Sequence, residues 1–269
     1  RPPRATLFPY TTLFRSNFVA LLSAIIATIT SVAVVLLQEG LKPLTSKRQQ
    51  ATSINSAYLN PLRLYAEETF FRLYEIDERF TKGQKENLLF LENIQNPQQL
   101  SNQSDDWFNG EGCYFTSSCY FTACLFACIK KVREDIPYLK LGKANDTDFL
   151  NRIFAVSRGF LQELGIFYAI QHSIGSEMYV TTEQRLITYR EFCGLLKNPT
   201  RRVWFDRLLV FYIDVNQGKR ISIVTQIIGA IYNLSSFCEL KSQRSRYRVV
   251  QGSTSIDARL KAENKPSFS

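Results

Sequence analysis

Residues 18–37, FVALLSAIIATITSVAVVLL, run without a charge, a proline or a glycine. At about 1.5 Å per residue, a helix of this length reaches roughly 30 Å, the hydrocarbon thickness of a bilayer. In lipid a backbone must satisfy its own polar groups, and Val, Ile, Leu and Ala do so in a helix whose surface the acyl tails accept. The hydroxyls of Ser23, Thr28, Thr30 and Ser31 can bond back to carbonyls one turn earlier. Residues 17–38 are therefore predicted to form a single transmembrane helix. A cleaved leader is disfavoured, because Leu36-Leu37-Gln38-Glu39-Gly40 offers no small-residue cleavage site. One face of the span carries Ala20, Ala24, Ala27 and Ser31, a spacing that allows close helix–helix approach and self-association in the membrane. Everything after residue 38 reads as too polar to span, which makes the chain one anchor carrying one large domain.

The sequence ahead of the span reads as having a different origin. Thr6 to Ser16, TLFPYTTLFRS, resembles the in-frame translation of a sequencing-library adapter, and Arg1-Pro2-Pro3-Arg4 resembles its upstream part. Residues 1–16 are set apart as non-native, and the native start is expected to be missing from a chain whose single Met is at 178. Removing Arg1, Arg4 and Arg15 lowers the formal net charge of +9 by three. After the span come Lys42, Lys47 and Arg48 against Glu39. Basic residues flanking a span stay on the cytoplasmic side, so the C-terminal domain is predicted to be cytoplasmic.

Residues 39–57 read as a polar linker, 58–240 as one domain and 241–269 as a flexible basic tail able to lie on anionic headgroups. A hydrophobic content of 45% with 12 Gly and 9 Pro argues for a packed body. The cysteines, at 113, 119, 124, 128, 193 and 238, sit mostly inside apolar runs, which suggests buried reduced thiols.

Helical periodicity dominates the domain. Asn60-Pro61 supplies a cap and a first-turn proline for a helix over 61–80, with Leu62, Tyr65, Ala66, Thr69, Leu73, Ile76 and Phe80 on one stripe. Arg63, Glu67, Arg72 and Glu75 fall largely off that stripe. A short helix is expected over 85–94 and a loop over 96–112. A buried helix follows at 114–134, halted before Pro137. The next is capped by Asn145 or Asp146, its stripe running Leu150, Ile153, Ser157, Phe160 and Leu164. Further helices are predicted over 169–178, 188–196, 200–215 and 220–239, divided by Pro199 and Gln217-Gly218. The last carries a broad apolar face and belongs at the centre of a bundle. No strand pattern competes. The class is all-α: one N-terminal transmembrane helix followed by a soluble multi-helix bundle.

Tyr58-Leu59-Asn60-Pro61-Leu62, Arg72-Leu73-Tyr74, Val132-Arg133-Glu134 with Tyr138-Leu139, and Ile166-Phe167 with Gln171, Ile174, Gly175 and Met178 resemble an uncharacterised family of helical, often membrane-anchored bacterial and plant proteins. The resemblance covers about 58–240 and implies a helical domain without an established activity. The family pattern places a basic and an acidic residue around the Gln, where this chain has Tyr168-Ala169-Ile170 and His172.

Chemistry-bearing motifs are sparse. His172 is the one histidine, and Gln171, His172 and Glu177 form the candidate ligand pocket, set against a structural reading of the same stretch as a helix terminus. A single histidine cannot build a bundle di-iron centre. The gaps between Cys113, Cys119, Cys124 and Cys128 do not match structural zinc spacing. Glu67, Glu68 and Asp135 read as solvated helix charges. No phosphate-binding glycine loop, nucleophile elbow or H-E-x-x-H motif occurs. No catalytic residue, metal or cofactor is assigned. Arg201-Arg202-Val203-Trp204 is too small a cluster to imply nucleic acid. The expected partners are the lipid bilayer and other proteins, including a second copy through the span. The function expected is an interaction, scaffold or regulatory module; the alternative is a membrane-tethered enzyme or ligand-binding domain with its pocket near Gln171, His172 and Glu177.

Overall fold

The structure, a computed structural model, describes residues 30–31, 55–135, 143–163 and 165–241. The expected adapter-like segment, most of the transmembrane helix and its Ala20, Ala24 and Ala27 lie outside these residues, as do most of the linker, Pro137, Leu164 and nearly all of the basic tail. Chain contacts define two units, Arg1–Ser53 and Ile54–Ser269. In the first, Thr30 and Ser31 are helical and exposed.

The second unit is helical. A π-helical turn at Asn55–Leu59 leads into α1 (Asn60–Thr81). A 3-10 turn (Pro97–Asn102) and the short α2 (Asp105–Asn109) precede α3 (Cys113–Asp135) and α4 (Lys143–Leu161). Then come α5 (Tyr168–Glu177), a two-stranded hairpin of β1 (Tyr179–Val180) and β2 (Arg185–Leu186), α6 (Tyr189–Lys197), α7 (Pro199–Arg202), α8 (Asp206–Asn216) and α9 (Ile221–Lys241). α9 lies along α1 and α4, while α3 lies against α1 and α5. The all-α expectation holds, with one hairpin that periodicity did not reveal.

The stripe on α1 buries Leu62, Ala66, Thr69, Leu73 and Ile76, while Tyr65 and Phe80 are partly covered. Two departures matter. Asn60 does not cap the helix: the turn before it is already helical, and Leu59 enters in the α region at φ −74° and ψ −39° with no side-chain cap. Leu59 is buried, and Pro61, lacking an N–H, falls where π hydrogen bonding gives way to α. Arg63 is buried rather than solvated, its Nε donating to Glu67 Oε1 at 2.6 Å. A buried guanidinium needs such a partner to offset its lost hydration.

Residues 82–96 are not the expected helix. Asn87, Phe90 and Asn93 have positive φ, so the segment turns repeatedly while burying Leu88, Leu89, Leu91 and Ile94. The expected loop over 96–112 instead holds the 3-10 turn and α2, because Ser104 Oγ accepts the Trp107 N–H at 3.1 Å and two aspartates occupy the first turn. Asn145 and Asp146 lie inside α4, which begins at Lys143 and so is not capped by either. The predicted helix over 200–215 is two helices, broken around Val203–Phe205.

Aromatic contacts knit the helices together. Phe126 of α3 meets Phe160 of α4 edge to face at 5.0 Å, Phe160 meets Phe211 of α8 at 5.6 Å, and Phe149 of α4 stacks on Phe237 of α9 at 5.4 Å. Such pairs add about 0.5–1.5 kcal/mol each beyond their burial. Gly218 ends α8 at φ +72°, and a Cβ there would stand 2.1 Å from the Lys85 carbonyl oxygen, so the turn admits glycine alone.

One expectation needs correcting. α9 contains Ile221–Cys238, which is long and apolar enough to cross a membrane, with a mean hydropathy of 1.4. More than half of this window, 56%, is buried inside the unit, and Ile223, Val224, Ile227, Ile231 and Leu234 face its core. A side chain already covered by α1 and α4 has no apolar surface left for lipid, so α9 reads as the central core helix its broad face predicted.

Candidate functional site

The expected pocket does not form. Gln171 is buried and structural: its Nε2 donates to the carbonyls of Ser157 at 2.9 Å and Ile166 at 2.7 Å, tying α5 to α4. His172, half exposed, faces Glu134 of α3 with Nε2 3.3 Å from Oε1. Glu177 accepts from Arg201 Nη2 at 3.0 Å and borders a separate cleft with Tyr179 and Leu195. Positions 171, 172 and 177 fall on three faces of one helix at about 100° per residue, so they cannot converge. Gly175 is not a turn residue. It lets α5 approach α3, since a Cβ there would lie 3.0 Å from Phe126 O and 3.1 Å from Ala127 Cα. Ser31, on the proposed association face, is helical and exposed.

A cleft of about 670 Å³ opens elsewhere, where the domain begins. That is the size of an ordinary small-ligand site. The π-helical turn contributes Tyr58, α1 contributes Pro61, Leu64 and Tyr65, α3 contributes Cys128 and Lys131, and the hairpin contributes Tyr179 and Arg185. Local folding places each of them. Positions 61, 64 and 65 share a face of α1 at three-and-four spacing, and 124, 128, 131 and 135 share one of α3. The hairpin pairs Tyr179 with Leu186 and Val180 with Arg185, bringing both strands to the cleft.

Electrostatically, among the described residues, one charge of the cleft is unmatched. Lys131 Nζ lies 5.4 Å from the ring centroid of Tyr58 and 5.4 Å from that of Tyr179. Among the described residues it forms no ion pair. The other nearby charges are engaged. Arg185 is held by Glu183 at 2.6 Å and Glu191 at 2.8 Å. Asp135 accepts the Tyr58 hydroxyl at 2.7 Å, a bond that together with burial raises the tyrosine's pKa.

Deeper in the wall, Tyr65 and Tyr120 lie beside Cys124, and Tyr120 donates to the Ile187 carbonyl at 2.9 Å. Burial pushes the Tyr65 hydroxyl up to about 12. Burial likewise pushes the Cys128 thiol up to about 12, against the pull of Lys131. At neutral pH these groups are uncharged, and Cys128 is a thiol rather than a thiolate nucleophile. All six cysteines are free, and all but Cys113 are buried. Among the described residues no group of three or more His, Cys, Asp or Glu side chains is arranged to hold a metal ion.

Sequence reasoning passed over Lys131 because nothing distinguishes it from Lys130, which pairs with Glu134 at 2.9 Å. The run Tyr179-Val180-Thr181-Thr182, rich in β-formers, was the one available signal for the hairpin. Comparison with known proteins adds no relative: no protein-family model matches the chain, and neither a curated protein nor a solved structure matches it.

Proposed function

We propose that the chain is a membrane-tethered helical binding module whose cleft at Tyr58, Lys131 and Tyr179 takes an organic anion with an apolar part. The observation that carries this reading is Lys131, an ammonium held beside two tyrosine rings without a carboxylate partner among the described residues. Leu64, Pro61 and Ala127 offer apolar wall to the rest of such a molecule. A binder fits better than an enzyme, because the neighbouring Tyr65 and Cys128 are held neutral by burial and supply no activated base or nucleophile. The tether is the apolar run at residues 18–37, and the bases that follow it favour a cytoplasmic domain. Self-association through Ala20, Ala24, Ala27 and Ser31 is compatible with this arrangement.

The test is calorimetric titration of the full chain, in non-ionic detergent, with hexyl phosphate and with hexanol. Hexyl phosphate should bind saturably and hexanol should not. Lys131→Gln should weaken binding about tenfold or more, the worth of one charge-assisted hydrogen bond. Equal binding by wild type and Lys131→Gln would refute the assignment.

A further inference from the structure

We infer that the anion taken by this cleft is the phosphate end of a membrane lipid, drawn from the bilayer in which the chain is tethered. The inference rests on the binding reading above and adds the source and class of the ligand.

The apolar run ends at residue 37, and the cleft is lined by Ser56, Ala57 and Tyr58, the opening residues of the domain. The intervening chain can extend at most about 65 Å. Lys42, Lys47 and Arg48 in the same stretch add attraction toward anionic headgroups.

The rim of the cleft has interfacial chemistry. Leu64 borders it and is 51% exposed; Phe71, two turns on along the same face of α1, is 52% exposed. Glu68 lies between them and is half-buried. Tyr58 and Tyr179 are amphipathic rings of the kind enriched at headgroup depth. Exposed apolar side chains beside tyrosines and a lysine without an ion pair among the described residues match a surface that meets lipid better than one that meets water. The volume is that of a small ligand rather than a whole two-chain lipid, so the site takes the phosphate and the adjoining glycerol while the tails stay in the bilayer.

The experiment places a photo-crosslinking p-benzoylphenylalanine at position 64 of the full chain, reconstituted into nanodiscs of phosphatidylcholine with or without phosphatidylglycerol. After irradiation, lipid adducts are measured by mass spectrometry, in wild type and in Lys131→Gln. A phosphatidylglycerol adduct that falls about tenfold in Lys131→Gln is the expected result. Adducts of equal yield in both kinds of disc and in both proteins would reflect mere nearness to the bilayer and would overturn the inference. Absence of any lipid adduct, with hexyl phosphate still binding in the calorimeter, would remove the lipid and leave the binding site standing. Inorganic phosphate that binds as tightly as hexyl phosphate and abolishes the adduct would assign the site to the free anion instead. Failure of hexyl phosphate itself to bind would bring down both readings.

Discussion

Asn216 should be worth about 2–4 kcal/mol to the fold. It is buried at the end of α8, and its side chain holds residues 88–91, a segment with no helix or strand of its own. Oδ1 accepts the Leu89 N–H at 2.8 Å, and Nδ2 donates to the Leu91 carbonyl at 3.1 Å. The Asn216 carbonyl accepts the Leu88 N–H at 3.3 Å. Asn216→Ala keeps that backbone bond and removes the two side-chain bonds, leaving a donor and an acceptor in a buried environment without partners. Each of the two orphaned groups costs about 1–2 kcal/mol, the lower part of the usual range, so together they cost about 2–4 kcal/mol. Because residues 82–96 bury Leu88, Leu89, Leu91 and Ile94, the loss should appear first as local opening of that segment. Urea unfolding of the full chain in non-ionic detergent would report the global term, and hydrogen exchange at Leu89 the local one. A 2 kcal/mol local loss accelerates Leu89 exchange roughly 30-fold. If exchange at Leu89 were unchanged and the global loss stayed below about 1 kcal/mol, the side chain would not be what holds the segment.

Further predictions concern close approach and titration. Gly175→Ala puts a Cβ 3.0 Å from Phe126 O, 3.1 Å from Ala127 Cα and 3.2 Å from Ala127 N, all backbone atoms that cannot rotate away. The strain of about 1–3 kcal/mol exceeds the gain in helix propensity, so Tm should fall by several degrees. Gly194→Ala, whose Cβ meets nothing within 4 Å, should be neutral or stabilising by up to about 1 kcal/mol, and equal effects at the two positions would contradict the α3–α5 contact. At alkaline pH, burial holds Cys193 up to about 11 and Cys128, Cys238, Tyr65 and Tyr114 up to about 12. A raised folded pKa gives stability that is whole below the unfolded values, about 8.5 for Cys and 10 for Tyr, and is lost as pH climbs through the folded ones. The urea midpoint should therefore hold steady near neutrality and fall between about pH 9 and 12. On the acid side, burial works to raise Glu75, but hydrogen bonds from Tyr114 and Arg79 outweigh it and hold the carboxyl low. Its stabilisation persists above the ordinary carboxylate range and disappears as pH falls through the lowered value, so Glu75→Gln should flatten the acid limb of the stability profile.

Helix-forming pattern was legible in the chain itself. The stripe on α1, the length of α3 and the broad face of α9 follow from apolar spacing, because a helix closes its hydrogen bonds locally and needs only one face covered. The burial of the cysteines followed from their apolar neighbours in the same way. What spacing could not show is anything set by partners distant in sequence. Residues 82–96 read as a possible helix, yet Asn216, more than a hundred positions later, holds them in turns. Arg63 looked like a surface charge until Glu67 and the surrounding helices enclosed it. Gln171, His172 and Glu177 are neighbours along the chain but point to three different partners, since adjacent helical positions face apart. Lys131 could not be told from Lys130 by sequence. Only the meeting of Tyr58 from the first turn of the domain and Tyr179 from the hairpin sets it apart. Local hydrogen bonding and one-sided burial are written into residue order; a site assembled from the π-helical turn, two helices and a hairpin exists only once tertiary contacts bring distant side chains together.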